Sequence, residues 1–286
     1  LYVCLAAILF AISGTAAKFL FNDGITAFQL IQMRTTLAFS GLLLWLYLRY
    51  PTLLKISLKS LPYFIGLGVF GIGSAQFFYL LAISKINVAA AILLHYTGPV
   101  FVALYVVFIQ RQKLRLNITL AITGTLIGCF LVVGAYNLQI FALNRVGIIA
   151  GILAAVSFAV YSILSEYGMR QYTPWTVLVY GMLFAALIWN ILHPPLEGFL
   201  HNYSLVQWGW ILFIGVCGTI FPFGLYFEGI KRIRPTHASI TATLEPISAG
   251  VIAALFLGEV MAPLQIMGGL IVIGSIIILQ LNRTAN

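Results

Sequence analysis

The sequence predicts an all-α integral membrane protein of ten transmembrane helices, built as two inverted five-helix repeats. Three observations lead there. The chain of 286 residues is 62% hydrophobic and only 7% charged, whereas a soluble globular domain carries about 25% charged residues. Its apolar residues gather into ten stretches close to the ~20 residues that span a bilayer's hydrocarbon core. A proline-interrupted apolar stretch also occurs twice, with Pro99 and Pro246 standing 147 positions apart.

The predicted spans cover about 1–21, 26–48, 61–83, 87–109, 116–136, 147–167, 174–192, 206–229, 236–257 and 263–281. A first repeat (1–136) and a second (146–286) each hold five spans, joined by a connector at 137–145. At the proline offset Tyr79 matches Tyr226, Ile83 matches Ile230, Ile86 matches Ile233 and Ala91 matches Ala238. At an offset of 148, Ala6-Ala7 matches Ala154-Ala155 and Phe10-Ala11 matches Phe158-Ala159. A near-constant offset in two separate regions marks an internal duplication. An odd number of spans per repeat inverts the second repeat relative to the first. Half a bundle does not cover its own polar interior, so the halves form one unit.

Loop charge orients the chain. With the N-terminus inside, the inner loops collect Arg49, Lys55, Lys59, Arg111, Lys113, Arg115, Arg170, Lys231, Arg232 and Arg234, with Arg283 at the tail. The outer loops hold only Lys85 and Arg145. This satisfies the positive-inside rule and puts both termini in the cytoplasm, in an inner or plasma membrane. The net charge of +9 is thus a topology signal and not a nucleic-acid footprint. Cys4, Cys129 and Cys217 lie inside apolar spans as small hydrophobes, with no disulfide or metal spacing. The chain opens on Leu1, so the natural N-terminus is expected upstream.

Polar residues inside spans carry the functional signal. Glu245 falls near the centre of the ninth span, where a carboxylate is costly and points to a polar cavity. Pro246 has no N–H; it frees the carbonyl of Ala242 and kinks the helix, as Pro99 does in the fourth span. Backbone freed at that depth must face protein or water. His237, Thr241, Glu245 and Ser248 follow at steps of four, four and three and share one helix face. Glu245 is either a group that carries a proton or a structural acid that locks the kink. Its first-half match is Gly98, so the repeat itself does not require the acid.

Arg34, in the second span, needs an anion: a carboxylate on another helix, or that of a substrate held by its two-pronged donor geometry. Gln29, Gln32 and Thr36 share a face of the same span, and Lys18 can snorkel to the interface. His95 and Tyr96 precede Pro99 and suit stacking on a flat substrate or plain packing at the kink; His95 also brings an imidazole. In the sixth span Ser157, Tyr161 and Ser165 recur every four residues, and such hydroxyls either line a cavity or bond back to their own helix. Glu228 stands one turn from Lys231 and Arg232, the spacing of a local ion pair. The candidate substrate-binding set is therefore Glu245, Thr241, His95, Tyr96, Arg34, Gln32, Ser157 and Tyr161, with helix kinks at Pro99 and Pro246. Closely spaced glycines such as Gly124 and Gly128 form packing seams. No zinc spacing, nucleophile elbow or pair of close acids is present, and no cofactor is implied.

Leu93-Leu94-His95-Tyr96-Thr97-Gly98-Pro99-Val100-Phe101 in the first half, and Leu244-Glu245-Pro246-Ile247 followed by Leu257-Gly258-Glu259 in the second, resemble the drug/metabolite transporter superfamily in its EamA-type branch. Ala82-Ile83-Ser84-Lys85-Ile86 and Arg34 fit as well, and the likeness covers nearly the whole chain. Gln112 stands where Glu259 stands in the second half, a departure from the glutamate the family often has at both. The resemblance implies ten helices, both termini inside, and export of small metabolites such as amino acids. The reading is a secondary transporter, an exporter, that moves such a metabolite by alternating access around a site between the halves. Proton coupling or exchange would drive it. It would work in contact with membrane lipid, as a monomer or homodimer. The alternatives are a lipid or lipid-linked sugar flippase and, less favoured, an intramembrane enzyme.

Overall fold

The computed structural model describes residues 1–86, 88–111, 115–132, 135–136, 144–257 and 262–281. Asn87, Gln112, Lys113, Glu259, Arg283 and most of the connector lie outside the described residues.

The described elements are helical. They are α1 (Tyr2–Asn22), α2 (Ala27–Arg49), α3 (Leu61–Gly66), α4 (Ser74–Lys85), α5 (Val88–His95), α6 (Gly98–Leu104), α7 (Leu116–Val132), α8 (Arg145–Gly168), α9 (Pro174–Leu192), α10 (Leu205–Gly215), α11 (Phe221–Ala242), α12 (Leu244–Leu257) and α13 (Pro263–Leu281). Six described runs are long and apolar enough to cross a membrane: Tyr2–Asn22, Leu58–Lys85, Ala91–Ile109, Arg145–Gly168, Pro174–Leu192 and Leu205–Ala242. Leu116–Val132 and Pro263–Ile278 are shorter apolar helices. α2 has the length, at 23 residues, but Gln29, Gln32, Arg34 and two threonines dilute its apolar character. The burial pattern is that of a membrane protein. Phe70, Phe108 and Ile109 are exposed, while Arg34, Gln32, Gln76 and Glu245 are buried. The chain is a multi-pass membrane protein.

Backbone chemistry explains where the helices break. Thr26 opens α2 with a capping box, its hydroxyl and the Gln29 side chain each taking the other's backbone N–H. The run from Phe221 to Ala242 is interrupted at Arg234 (φ 68°, ψ 158°), directly before Pro235, because a residue ahead of proline is pushed from helical to extended ψ. Near Pro99 and Pro246 the structure shows the helix interrupted by turn residues, in place of the expected kinks. The chain turns at Tyr96 and Thr97 before α6, and at Thr243 before α12. Each proline then lies in the first turn of the new helix, where its missing N–H costs nothing.

Two π-turns stand away from the ends of the long runs, at Leu67–Gly73 and Val216–Ile220, while a third, Tyr105–Ile109, ends its run. Adding 147 to 67–73 gives 214–220, so the second turn falls at the offset of the prolines. Wider i→i+5 spacing leaves carbonyls poorly served, and a hydroxyl serves one at each of these two turns. Ser74 Oγ donates to the Val69 carbonyl at 2.6 Å, and Thr219 Oγ1 to the Ile214 carbonyl at 2.7 Å.

Packing follows the same offset. α1 packs on α11 and α12, and α8 packs on α4, α5 and α6. α2 packs on α10 and its π-turn, and α9 packs on α3 and the Leu67–Gly73 turn. The offset-related helices α2 and α9 touch each other, as do α7 and α13. Glycine allows the same close approach twice. A Cβ on Gly71 would lie 2.8 Å from Tyr161 Cβ, and one on Gly218 would lie 2.5 Å from Ser13 Oγ. At the α7–α13 seam a Cβ on Gly128 would come within 2.8 Å of the Gly268 carbonyl oxygen and 3.1 Å of the Val272 nitrogen. Backbone atoms cannot swing aside, so Gly128→Ala is expected to cost about 1–3 kcal/mol. A lowered apparent melting temperature in detergent is the check; an unchanged one would mean that the seam relaxes freely.

Candidate functional site

Helices from both halves of the chain converge on one cavity whose wall mixes aromatic and polar side chains. α1 contributes Phe10, Ser13 and Gly14; α2 contributes Arg34; α4 contributes Ala75, Gln76 and Tyr79. His95 comes from the end of α5 and Tyr96 from the break that follows it. α8 supplies Phe158 and Tyr161, α11 supplies Phe223, Tyr226 and Ala242, and α12 supplies Glu245. The free volume is about 50 Å³, when a single water needs ~10–15 Å³. That is room for a few waters.

Two ionisable side chains face this cavity without a direct contact between them. Glu245, 6% exposed, receives the Tyr96 hydroxyl on Oε2 at 2.5 Å and the Tyr79 hydroxyl on Oε1 at 3.3 Å. Arg34, 5% exposed, donates from Nε to Thr219 Oγ1 at 2.7 Å and from Nη2 to the Gly218 carbonyl at 3.0 Å. That carbonyl lies in the π-turn, and the residue four positions on, Pro222, has no N–H to bond it, which leaves the carbonyl able to anchor the arginine. Among the described residues no carboxylate lies within 4.0 Å of Arg34; the ion pairs present there are His193–Glu197 and Glu228–Arg232. The second is the local pair expected from the sequence.

The rest of the wall is aromatic with unanswered polar atoms. Tyr79 and His95 rings lie 5.0 Å apart, His95 and Phe158 5.2 Å, and Phe158 and Tyr161 5.2 Å. Ser13 Oγ, Gln76 Oε1 and His95 Nδ1 are buried without a hydrogen-bond partner. Such groups are normally satisfied by protein or water, and here all three line the same chamber.

Of the residues singled out from the sequence, Glu245, Arg34, His95, Tyr96 and Tyr161 meet at this cavity. Three others lie elsewhere. Thr241 is buried and bonds back to the His237 carbonyl at 2.8 Å. Ser157 is buried beside the wall without lining it. Gln32 clasps the loop after α9: its Nε2 donates to Asn190 Oδ1 at 3.2 Å and to the Pro194 carbonyl at 2.9 Å, and its Oε1 accepts from the Gly198 N–H at 2.7 Å. The face shared by His237, Thr241, Glu245 and Ser248 is cut by the break at Thr243, and only Glu245 reaches the cavity.

Sequence reasoning missed Tyr79, Tyr226, Gln76, Phe10, Ser13, Phe158 and Phe223 as wall residues. A signal for them existed. At offsets of 147 or 148, Phe10 pairs with Phe158, Ser13 with Tyr161, Gln76 with Phe223, Tyr79 with Tyr226 and His95 with Ala242, and every member lines the cavity. Gly14, Arg34, Ala75, Tyr96 and Glu245 line the cavity outside these five pairs, and for Glu245 the reason is steric. Its counterpart Gly98 leaves no room for a side chain, since a Cβ there would sit 2.6 Å from the Phe158 ring.

Apolar helices around a cavity that carries Arg34 and Glu245 fit a membrane transporter. The chain belongs to the EamA-like transporter family, whose pattern matches residues 1–134 and 145–281. An uncharacterized transporter of Archaeoglobus fulgidus is 31% identical over 75% of this chain and 74% of its own length. The inner membrane transporter YicL of Salmonella typhimurium is 28% identical over 99% of this chain and 95% of its own. The threonine/homoserine exporter RhtA of Escherichia coli K12 is 26% identical over 74% of this chain and 68% of its own. A crystal structure with 19% identity superimposes at a TM-score of 0.75 over 98% of this chain and 95% of that chain, which extends the likeness to the fold. The protein is thus a transporter and not an enzyme.

Proposed function

We propose that this protein is a secondary transporter, an exporter of a small polar metabolite such as an amino acid, working by alternating access across an inner or plasma membrane. Ten transmembrane helices in two inverted five-helix repeats, 1–136 and 146–286, form the machine, with both termini cytoplasmic. One observation carries the reading: ten of the fifteen cavity-lining residues form five offset-related pairs from the two halves. A site on a pseudo-two-fold axis between repeats can open to either side by equivalent movements. The recurring π-turns and packing partners support the same duplication. The excess of basic residues on one set of loops supports the orientation.

The breaks at Tyr96–Thr97 and at Thr243 adjoin cavity residues Tyr96 and Ala242. They are the natural hinges for enlarging a chamber with room for a few waters. Amino-acid cargo is suggested by the relative RhtA, and the polar side chains on the wall suit it. A lipid flippase has weaker support, because the apolar groove lined by Val100, Ala103, Phe108 and Ile122 shares no residue with that cavity. The test is uptake and counterflow in proteoliposomes with a mixed pool of labelled amino acids, with and without an imposed pH gradient. Movement of at least one pool member is expected, and a response to the gradient would add proton coupling. No movement under any gradient would overturn amino-acid cargo.

A further inference from the structure

We propose that the cavity is a clamp for a zwitterion, in which Arg34 takes the carboxylate of an α-amino acid and Glu245 takes its ammonium. This rests on the transporter reading above and names the substrate chemistry of the same site.

The starting point is an anomaly. A buried cation and a buried anion on one chamber would ordinarily collapse into a direct pair, since each is costly alone. Here each is held back by its own anchors. The π-turn at Gly218 and Thr219 grips Arg34, and two tyrosine hydroxyls grip Glu245. The anchors leave the ligand-binding edges free. A guanidinium has five N–H donors; Nε and one Nη2 hydrogen are used, so Nη1 and the second Nη2 hydrogen form an open fork. That end-on fork fits a carboxylate. A carboxylate has about four acceptor positions, and Glu245 accepts from only two hydroxyls, so an ammonium has somewhere to bind.

A ligand with one charge would leave the opposite protein charge unanswered. A dipolar ligand answers both and leaves net charge in the chamber unchanged. Ser13 Oγ, Gln76 Oε1 and His95 Nδ1 lie on the same wall without partners. They suit a short side chain carrying a hydrogen-bonding group such as a hydroxyl. The offset counterparts of the two charged residues are Met182 and Gly98, so the clamp has one polarity. Met182 Sδ instead receives Gln76 Nε2 at 3.9 Å.

Binding of three probes to purified protein tests the clamp: L-threonine, its methyl ester, which lacks the carboxylate, and N-acetyl-L-threonine, which lacks the ammonium. Both derivatives are expected to bind roughly 10- to 100-fold more weakly than threonine, the scale of one lost charge-assisted contact. In Arg34→Gln the preference for threonine over the ester should vanish while the preference over the acetylated form persists. In Glu245→Gln the reverse is expected. Size-exclusion profiles of the variants guard against misfolding, and Arg34→Lys and Glu245→Asp supply charge-retaining versions. Equal binding of all three probes to the unaltered protein would overturn the clamp. So would variants that lose affinity without losing the matching discrimination. If amino acids move in proteoliposomes but the discrimination is absent, only the clamp fails. If no amino acid binds or moves, the cargo reading and the clamp fall together.

Discussion

Glu245→Gln is expected to lower transport by about 10- to 100-fold while leaving a folded, monodisperse protein. The amide has nearly the size of the carboxylate, and a tyrosine hydroxyl can accept as well as donate. Tyr96 and Tyr79 can therefore keep their places, with one of them reversing its bond to the amide nitrogen. The negative charge is lost, and with it the partner proposed for a substrate ammonium or a coupled proton. The size of the drop follows from one charge-assisted contact, at ~1.5–3 kcal/mol, with each ~1.4 kcal/mol counting tenfold. Two readouts divide the roles. If residual uptake no longer responds to an imposed pH gradient, the residue is also the proton carrier. If uptake falls and the response to pH is that of the unaltered protein, coupling lies elsewhere. Undiminished uptake would make Glu245 a structural acid at the break.

Arg34→Met is expected to abolish most transport without lowering thermal stability. Were Arg34 there to hold the fold, the variant would lose two hydrogen bonds from a charged donor, each worth ~1.5–3 kcal/mol. The melting temperature would then fall by several degrees. The geometry argues otherwise. Arg34 is a buried cation with no acid within 4.0 Å among the described residues, and removing an unpaired buried charge relieves a desolvation cost of several kcal/mol. Thr219 still donates to the Ile214 carbonyl after the change, which leaves the Gly218 carbonyl as the main group short of a partner. The two effects offset, and the apparent melting temperature without substrate should hold or rise, as is common where a binding site is traded for stability. Arg34→Lys should keep part of the activity, since the charge remains but the planar fork is gone. A melting temperature lowered in step with transport would assign Arg34 to the fold.

Much of this protein is legible in its amino-acid sequence. Composition alone places the chain in a membrane, because 7% charged residues cannot cover a soluble surface. Glu245 and Arg34 stand out because a charge within an apolar run has few harmless explanations. Pro99 and Pro246 mark the breaks because a missing N–H acts locally, whatever surrounds it. These are one-dimensional properties: the cost of a charge in hydrocarbon and the chemistry of one peptide bond travel with the residue.

Which polar side chains share a chamber is another matter. Helical spacing groups Thr241 with Glu245 on one face, but the turn at Thr243 interrupts the helix between them, and Thr241 bonds its own helix instead. Gln32 and Arg34 belong to one polar stretch of the second span, yet Gln32 clasps the loop after α9 while Arg34 reaches a π-turn in the other half of the chain. Tyr79 and Tyr226 read from the sequence only as duplication markers, although Tyr79 bonds Glu245 and both line the wall. The sequence by itself determined the solvent, the helical class, the break points and the costly charges. Only the tertiary structure decided which faces meet. In a chain that is 62% hydrophobic, composition says little about facing, which close glycine contacts and polar anchors from distant segments help to decide.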